Sequence, residues 1–243
     1  PERLAATDPF KQMTEVVGSG PFRFIANEQV IGSRAVFERF DKYVPRDEPA
    51  SFTTGGKRVH VDRVVWHMIP DPGTAANALV TGEIDWVEMP LPDLVPMLAR
   101  QQNLVTGHVD PFGIIGGLRP NHLHAPTSNV GVRRAMLAAI DQREVMTAVM
   151  GDDPSGWQAP VGYLVSGKPF VDDAGMEFLR NRMKPDAIKA MLDKAGYNNE
   201  RVVILHPTDQ SFYSAMCSVA ADALKSIGMN VDEQSMDWGT VVQ

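Results

Sequence analysis

The chain has 243 residues, 44% of them hydrophobic and 22% charged, which is enough to bury a core in one large domain or two small ones. Its formal net charge of −7 argues against a nucleic-acid partner, because phosphate binding needs a concentrated basic surface and the local Arg133-Arg134 pair is too small to supply one. No apolar run approaches the roughly 20 residues that span a bilayer, and the single cysteine, Cys217, excludes an internal disulfide.

The first part of the chain predicts short strands and two helices. Strands are indicated by β-like apolar runs bounded by turn residues, and a glycine after a helical pattern is a typical end because it adopts the left-handed conformation cheaply. The predicted elements are strands at "FRFIAN", "RAVFERF", 61–69 and "EIDW", a helix at 74–81 closed by Gly82, and a helix at 90–100.

From residue 129 onwards the sequence predicts mostly helices. Val132, Met136 and Ala139 are spaced for one buried helix face, and Asp141 with Glu144 predicts the capped start of the next helix. The further predicted elements are a Gly/Pro-rich loop at 151–169, helices at 185–194 and 211–227, and strands at "RVVILHP" and "MNVDEQSMDW". Because strands and helices interleave, an α/β architecture with partly parallel sheets is favoured, and the change in pattern near residue 115 suggests two lobes.

Three carboxylates, Glu83, Asp85 and Glu88, lie close together in "GEIDWVEMP". On a strand, alternation places Ile84 and Trp86 on the core side and the first two acids on the other, so the three do not converge without another element. A structural role is therefore favoured for Glu83 and Asp85. Glu88 follows the predicted strand end, where α/β folds place their ligands.

The remaining motifs give no catalytic, cofactor or metal site. His122-Leu-His124 lacks a third ligand at a recognised spacing. "GSGPF" lacks the spacing of a nucleophile elbow, and "GGKR" lacks the phosphate-binding loop pattern. We therefore predict no catalytic residue, no metal ligand set, no cofactor and no enzymatic activity.

Several stretches in fixed order resemble the extracytoplasmic solute-binding proteins of ABC importers, in the family that binds dipeptides, oligopeptides and nickel complexes. They cover nearly the whole chain. The matching stretches are "VGSGPFRF", "VFERFDKY", "VDRVVWHMIPD", "ALVTGEID", "NHLHAPTSNVGVRRAMLAAIDQREVMTAV", "AIKAMLDKAGY" and "ALKSIGMNVDEQSMDWGT".

The resemblance implies a periplasmic-binding-protein-like fold of the type II, peptide-binding class, with two lobes joined at a hinge. Residues 1–113 then form part of the large lobe, 114–121 the crossover, and 122–243 part of the second lobe. Family members are about twice as long, so we expect an incomplete chain. The resemblance also implies a monomer outside the cytoplasmic membrane, periplasmic or lipid-anchored, that captures a peptide or similar small polar solute by lobe closure and delivers it to the permease subunits.

The candidate solute contacts come mainly from the same comparison. The family's crossover is usually aromatic, whereas this chain reads Gly116-Gly117-Leu118-Arg119-Pro120-Asn121, which indicates a wider pocket and a fixed positive charge for an anionic solute. An interlobe salt bridge for Arg119, hinge flexibility for the glycines and packing of Trp157 against its own lobe are the competing interpretations. The predicted ligand-binding residues are Glu88, Met89, Phe112, Ile114, Gly117, Arg119, Trp157, His206 and Phe212.

Three other functions remain open from the sequence, one of them a structural or adaptor role in which lobe closure serves signalling rather than import. A metal-chelate binder of the same family would use His122, His124 or His206. An acid-dependent hydrolase would require Glu83, Asp85 and Glu88 to meet in one pocket, against the strand alternation.

Overall fold

The computed structural model describes residues 2–8, 10–11, 15–110, 113–164, 167 and 170–243, and it is mixed α/β as predicted. The chain divides into two compact units. Unit 1 comprises Pro1–Leu91 and Gln101–Leu104, and unit 2 comprises Pro92–Arg100 and Val105–Gln243.

Unit 1 contains an antiparallel sheet in the order β1-β2-β3. Phe37 of the middle strand lies opposite Phe24 on one side and Val64 on the other, and the two phenylalanine rings are 5.5 Å apart between centroids. The elements are α1 (Glu2–Ala5), β1 (Phe22–Phe24), a 3-10 turn (Ala26–Glu28), β2 (Arg34–Arg39), β3 (Arg63–His67) and α2 (Pro72–Thr81). The first three predicted strands and the first predicted helix are confirmed.

The chain after α2 is a loop, so the strand predicted at "EIDW" is wrong. Gly82 ends the helix with a φ of 76°, and the amides of Glu83 and Ile84 both donate back to the carbonyl of Ala78, at 2.9 and 3.3 Å. These bonds satisfy the carbonyl at the end of the helix. The two amides are then not available to pair with a neighbouring strand. Trp86, predicted to face the core, is 69% exposed.

Unit 2 contains two parallel strands, β4 and β5, connected by a long helix. The helix predicted at 90–100 is a 3-10 turn followed by one short α-helix, whereas the other predicted helices and strands of this region are confirmed, with ends that differ by at most two residues. The elements are 3-10 turns at Pro92–Leu94 and Pro154–Gly156, α3 (Val95–Leu98), α4 (Val130–Ala139), α5 (Gln142–Met150), α6 (Glu177–Arg180), α7 (Pro185–Lys194), β4 (Arg201–Pro207), α8 (Ser211–Ser226), β5 (Asn230–Met236) and α9 (Trp238–Val241).

Side-chain caps explain where the helices of unit 2 begin. Asn129 accepts from the amide of Gly131 at 2.8 Å and donates to the carbonyl of Ala195 at 2.8 Å, which fixes α4 against the end of α7. Asp141 accepts from the amide of Arg143 at 2.8 Å and starts α5, as predicted. Such caps satisfy amides that the first helical turn leaves free.

A continuous hydrophobic core holds α4, α7, α8 and the two strands together. Alternate residues of β4 face it, in the order that a half-buried strand requires. The core residues are Val132, Ala135, Met136, Ala138, Ala139, Ile188, Leu192, Val202, Ile204, Ala221, Leu224, Ile227 and Met229. None of the helices in the described ranges is both long and apolar enough to cross a membrane.

Candidate functional site

The carboxyl ends of β4 and β5 lie side by side and are joined by hydrogen bonds. Pro207 is in register with Met236, and the amide of Thr208 donates to the carbonyl of Met236 at 3.0 Å. The carboxylate of Asp209 accepts from the amide of Trp238 at 2.9 Å, so the two loops that leave the strands are tied together. Open α/β sheets bind ligands at this end of their strands.

Two aromatic side chains stack at this edge. Tyr213, in the first turn of α8, and Trp238, at the start of α9, have ring centroids 5.0 Å apart and an interplanar angle of 17°. Tyr213 is 45% and Trp238 is 39% exposed. The edge therefore presents a fixed aromatic surface to solvent.

His206, the next-to-last residue of β4, is buried and is bonded through both ring nitrogens. It is 8% exposed, with Nε2 2.7 Å from the hydroxyl of Ser214 and Nδ1 3.3 Å from the carboxylate of Glu233. A neutral imidazole satisfies both contacts when Nδ1–H donates to Glu233 and Nε2 accepts from Ser214. The ring thus connects β4, β5 and α8, and contact with a solute would require these bonds to rearrange.

Glu233 is the charged centre of this network. Its second oxygen accepts from the ammonium of Lys225 at 2.6 Å, and this hydrogen bond is the main reason that the pKa of Glu233 is lowered. The same contact raises the pKa of Lys225. Burial, and then the charge of Glu233, raise the pKa of the Cys217 thiol, so this cysteine is a poor nucleophile.

The predicted crossover meets α8 at Gly116. A Cβ added to Gly116 would collide with the thioether end of Met216, whose Sδ lies 2.9 Å from that position. Met216 shares a helix face with Phe212, one turn earlier on α8. The space that a ring would take at Gly116 is therefore filled by Met216, whereas a Cβ at Gly117 has no described atom within 4 Å.

The other predicted contacts of unit 2 are placed separately. Ile114 is exposed, and Arg119 is exposed and makes no ion pair within the described residues. Trp157 is half-buried, and its indole N–H donates to the carbonyl of Gly151 at 3.1 Å. Phe112 lies outside the described residues.

Glu88 and Met89 belong to unit 1 and are both exposed in the loop that follows α2. Glu83 and Asp85 lie in the same loop and are also exposed. In the described part of the chain, His, Cys, Asp and Glu side chains form no group of three or more that could hold a metal ion. His122 and His124 are exposed loop residues.

Sequence reasoning missed Tyr213, Trp238, Met216 and Asp209. Tyr213 directly follows Phe212, which was predicted, and Trp238 ends the stretch predicted as the last strand. The usable signal was that Tyr213 follows one predicted strand and Trp238 ends the other, where parallel sheets gather their functional side chains. Nothing in the sequence showed that the two rings stack.

The family model "Bacterial extracellular solute-binding proteins, family 5 Middle" matches residues 2–243. The chain therefore belongs to this family of solute-binding proteins, and the predicted family and fold class are confirmed.

Individual relatives agree with this assignment. The chain is 35% identical over 243 residues to the probable peptide ABC transporter periplasmic-binding protein y4tO of Sinorhizobium fredii, covering 99% of this chain and 46% of that protein. It is 26% identical over 208 residues to the nickel-binding periplasmic protein of Escherichia coli, covering 81% of this chain and 36% of that protein. These relatives are binding proteins, and the chain spans less than half of their length.

The fold is shared with a solved structure, the binding protein AgaA in complex with agropinic acid from A. tumefaciens R10. The TM-score is 0.70 at 24% identity, covering 92% of this chain and 42% of that chain.

Proposed function

We propose that this chain is part of the solute-binding component of an ABC importer, which captures a peptide or similar small polar solute outside the cytoplasmic membrane. The protein binds without catalysing a reaction, acts as a monomer and delivers its solute to the permease subunits. The observation that carries the proposal is the family match over residues 2–243, joined to a 35% identical relative named for peptide transport.

Binding in such a protein depends on shape, desolvation and a few oriented polar groups. We propose residues 1–113 and 122–243 as parts of two lobes and 114–121 as the crossover about which they close. Closure adds contacts that the open form lacks, so the solute shifts the population towards the closed state.

Exposed charged and apolar groups support the proposed contacts. Arg119 has no described ion-pair partner, so its guanidinium is available for a carboxylate of the solute. On the unit 1 side, Glu88 and Met89 are exposed in one loop. Phe212 lies on the α8 face that meets the crossover through Met216. Ile114, Gly117, Trp157, His206 and Phe112 complete the proposed set, and the buried His206 would have to release Ser214 or Glu233 to contact the solute.

The identity of the solute is tested by native mass spectrometry of the full-length protein purified without refolding. A co-purifying peptide or small polar molecule that restores thermal stability after its removal supports the proposal. A full-length protein that carries no solute and gains no stability from peptide mixtures contradicts it.

The role of Arg119 is tested with the solute so identified. We expect Arg119→Ala to weaken binding at least about tenfold, because a charge-assisted hydrogen bond to a desolvated carboxylate contributes about 1.5–3 kcal/mol. Arg134→Ala, which removes another exposed arginine of unit 2, is the matched control and should leave the affinity unchanged. Equal affinities for the wild type and Arg119→Ala contradict the contact.

A metal-chelate binder is the second candidate, because a nickel-binding relative is 26% identical and His122 and His124 are exposed. Calorimetric titration of the ligand-free full-length protein with nickel, alone and with a small chelating acid, separates the two functions. Binding heat in the wild type that disappears in the double variant His122→Ala/His124→Ala favours the chelate binder. A wild type that gives no heat with nickel favours the peptide binder.

A further inference from the structure

A cavity that the proposed function does not use lies in unit 1, in the loop between β2 and β3. Its volume is about 430 Å³, a size at which small-molecule sites are found, and it is open to solvent. None of the predicted solute contacts is among its lining residues. Charged and polar side chains of both signs line it, namely Asp47, Glu48, Arg58 and His60.

The walls of this cavity are held by backbone contacts within the loop. The amide of Gly56 donates to the carbonyl of Glu48 at 3.0 Å, and Ser51 and Thr54 exchange backbone hydrogen bonds at 2.9 and 3.0 Å. A Cβ at Gly56 would collide with the carbonyl oxygens of Arg46 and Glu48, so glycine is needed for the two sides of the loop to approach this closely. The charged side chains therefore project from a preformed backbone, which lowers the ordering entropy that a ligand must overcome.

The last part of the loop alternates between two sides. Arg58 and His60 line the cavity, whereas Val59 lines a neighbouring groove together with Phe40. This is the alternation of an extended chain, in which every second side chain points the same way. The backbone thus directs a guanidinium and an imidazole into the same cavity as the carboxylates.

Most of the charges that face the cavity have no partner. Within the described residues, the side chains of Asp47, Arg58 and His60 make no ion pair or hydrogen bond, and Glu48 pairs with Arg46 at 3.4 Å. Arg58 and Asp47 therefore face one cavity without pairing with each other. A small molecule that carries both a carboxylate and an ammonium can pair with both, whereas an ion of one sign meets one favourable and one unfavourable charge.

We propose that this cavity is a second binding site, which takes a small zwitterion through the main-chain groups of a free α-amino acid. Arg58 binds the carboxylate, Asp47 and Glu48 bind the ammonium, and His60 supplies a further hydrogen bond. The site lies within unit 1 alone, so it goes beyond the proposed function, and its ligand is distinct from the transported solute. Binding involves no covalent change.

The test uses the full-length protein and three probes of nearly equal size, detected through their methyl groups by saturation-transfer NMR. L-alanine carries both charges, propionate lacks the ammonium, and ethylammonium lacks the carboxylate. We expect the wild type to bind L-alanine with a dissociation constant of about 1 mM or lower, and each of the other probes at least about tenfold more weakly. A wild type that binds no L-alanine, or binds all three probes equally, overturns the inference without requiring any variant.

Variants then locate the site. Arg58→Ala and Asp47→Asn should each weaken L-alanine binding about tenfold or more, because each removes one of the two opposite charges. Lys57→Ala is the matched control, since Lys57 is an exposed cation next to Arg58 that does not line the cavity, and it should keep the wild-type affinity. L-alanine binding that is unchanged in both Arg58→Ala and Asp47→Asn overturns the assignment.

A last measurement separates this site from the proposed solute site. Arg58→Ala should bind the co-purified solute as tightly as the wild type does, because Arg58 is not one of the proposed solute contacts. A variant that loses L-alanine and keeps the solute supports two separate sites. A variant that loses both overturns the proposal of a separate site and leaves the proposed function in place.

Discussion

Unit 2 and unit 1 bury very different amounts of apolar surface. Unit 2 packs three helices against two parallel strands around a continuous core, with Leu224 and Ala221 fully buried at its centre. In the described residues of unit 1 the buried hydrophobic residues are Val36, Ala76 and Ala78.

Unit 1 also exposes large apolar side chains. Trp66 on β3 is 59% exposed, and Met68 and Trp86 nearby in the sequence are also exposed. Because the chain spans only 46% of the y4tO relative, we expect further polypeptide to cover these three side chains in the full-length protein.

The largest effect is expected from truncating a buried side chain in the core of unit 2. Leu224→Ala should lower the free energy of unfolding by about 3–5 kcal/mol, because it removes a fully buried side chain and leaves a cavity. Denaturant unfolding of the full-length protein measures the change. Leu137→Ala, at a half-exposed leucine of α4, is the control and should cost less than about 1 kcal/mol. Equal losses would show that unit 2 is not a close-packed core.

The second prediction concerns the exposed face of unit 1. Trp66→Ala should cost less than about 1 kcal/mol in the 243-residue chain, where the ring is largely exposed, and about 2 kcal/mol or more in a full-length protein that covers it. Denaturant unfolding of both proteins gives the two values. The same small cost in both would mean that Trp66 is exposed in the full-length protein too. The difference in apolar burial between the two units would then be a property of the complete protein.

The third prediction, with the smallest effect, concerns pH. The pKa of Glu233 is lowered in the folded state, chiefly by the hydrogen bond from Lys225, so its carboxylate stabilises the fold above its unfolded pKa. This contribution is lost as the pH falls through the lowered folded value. Unfolding measured between pH 7 and pH 3 should therefore show a steeper acid loss in the wild type than in Glu233→Gln.

Glu177→Gln, at an exposed glutamate of α6, is the control for the pH experiment and should follow the wild-type profile. A Glu233→Gln protein with an unchanged acid profile would show that the network of Glu233, His206 and Lys225 adds no pH-dependent stability to unit 2.

The sequence by itself determined the elements whose signals are local. Asp141 marked the start of α5 and Gly82 the end of α2, since caps and left-handed glycines act within one helical turn. The apolar run "RVVILHP" marked β4. The fold class was predicted from the order of the family motifs, because no single element indicates it.

Only the tertiary structure decided features that depend on residues far apart in the chain. "EIDW" has strand-like composition, but a strand needs a partner, and the amides of Glu83 and Ile84 bond to Ala78 instead. Tyr213 and Trp238 are 25 positions apart and stack because the parallel register of β4 and β5 brings the two following helices together. His206 was predicted as a solute contact, and the same register buries it and bonds it to Glu233.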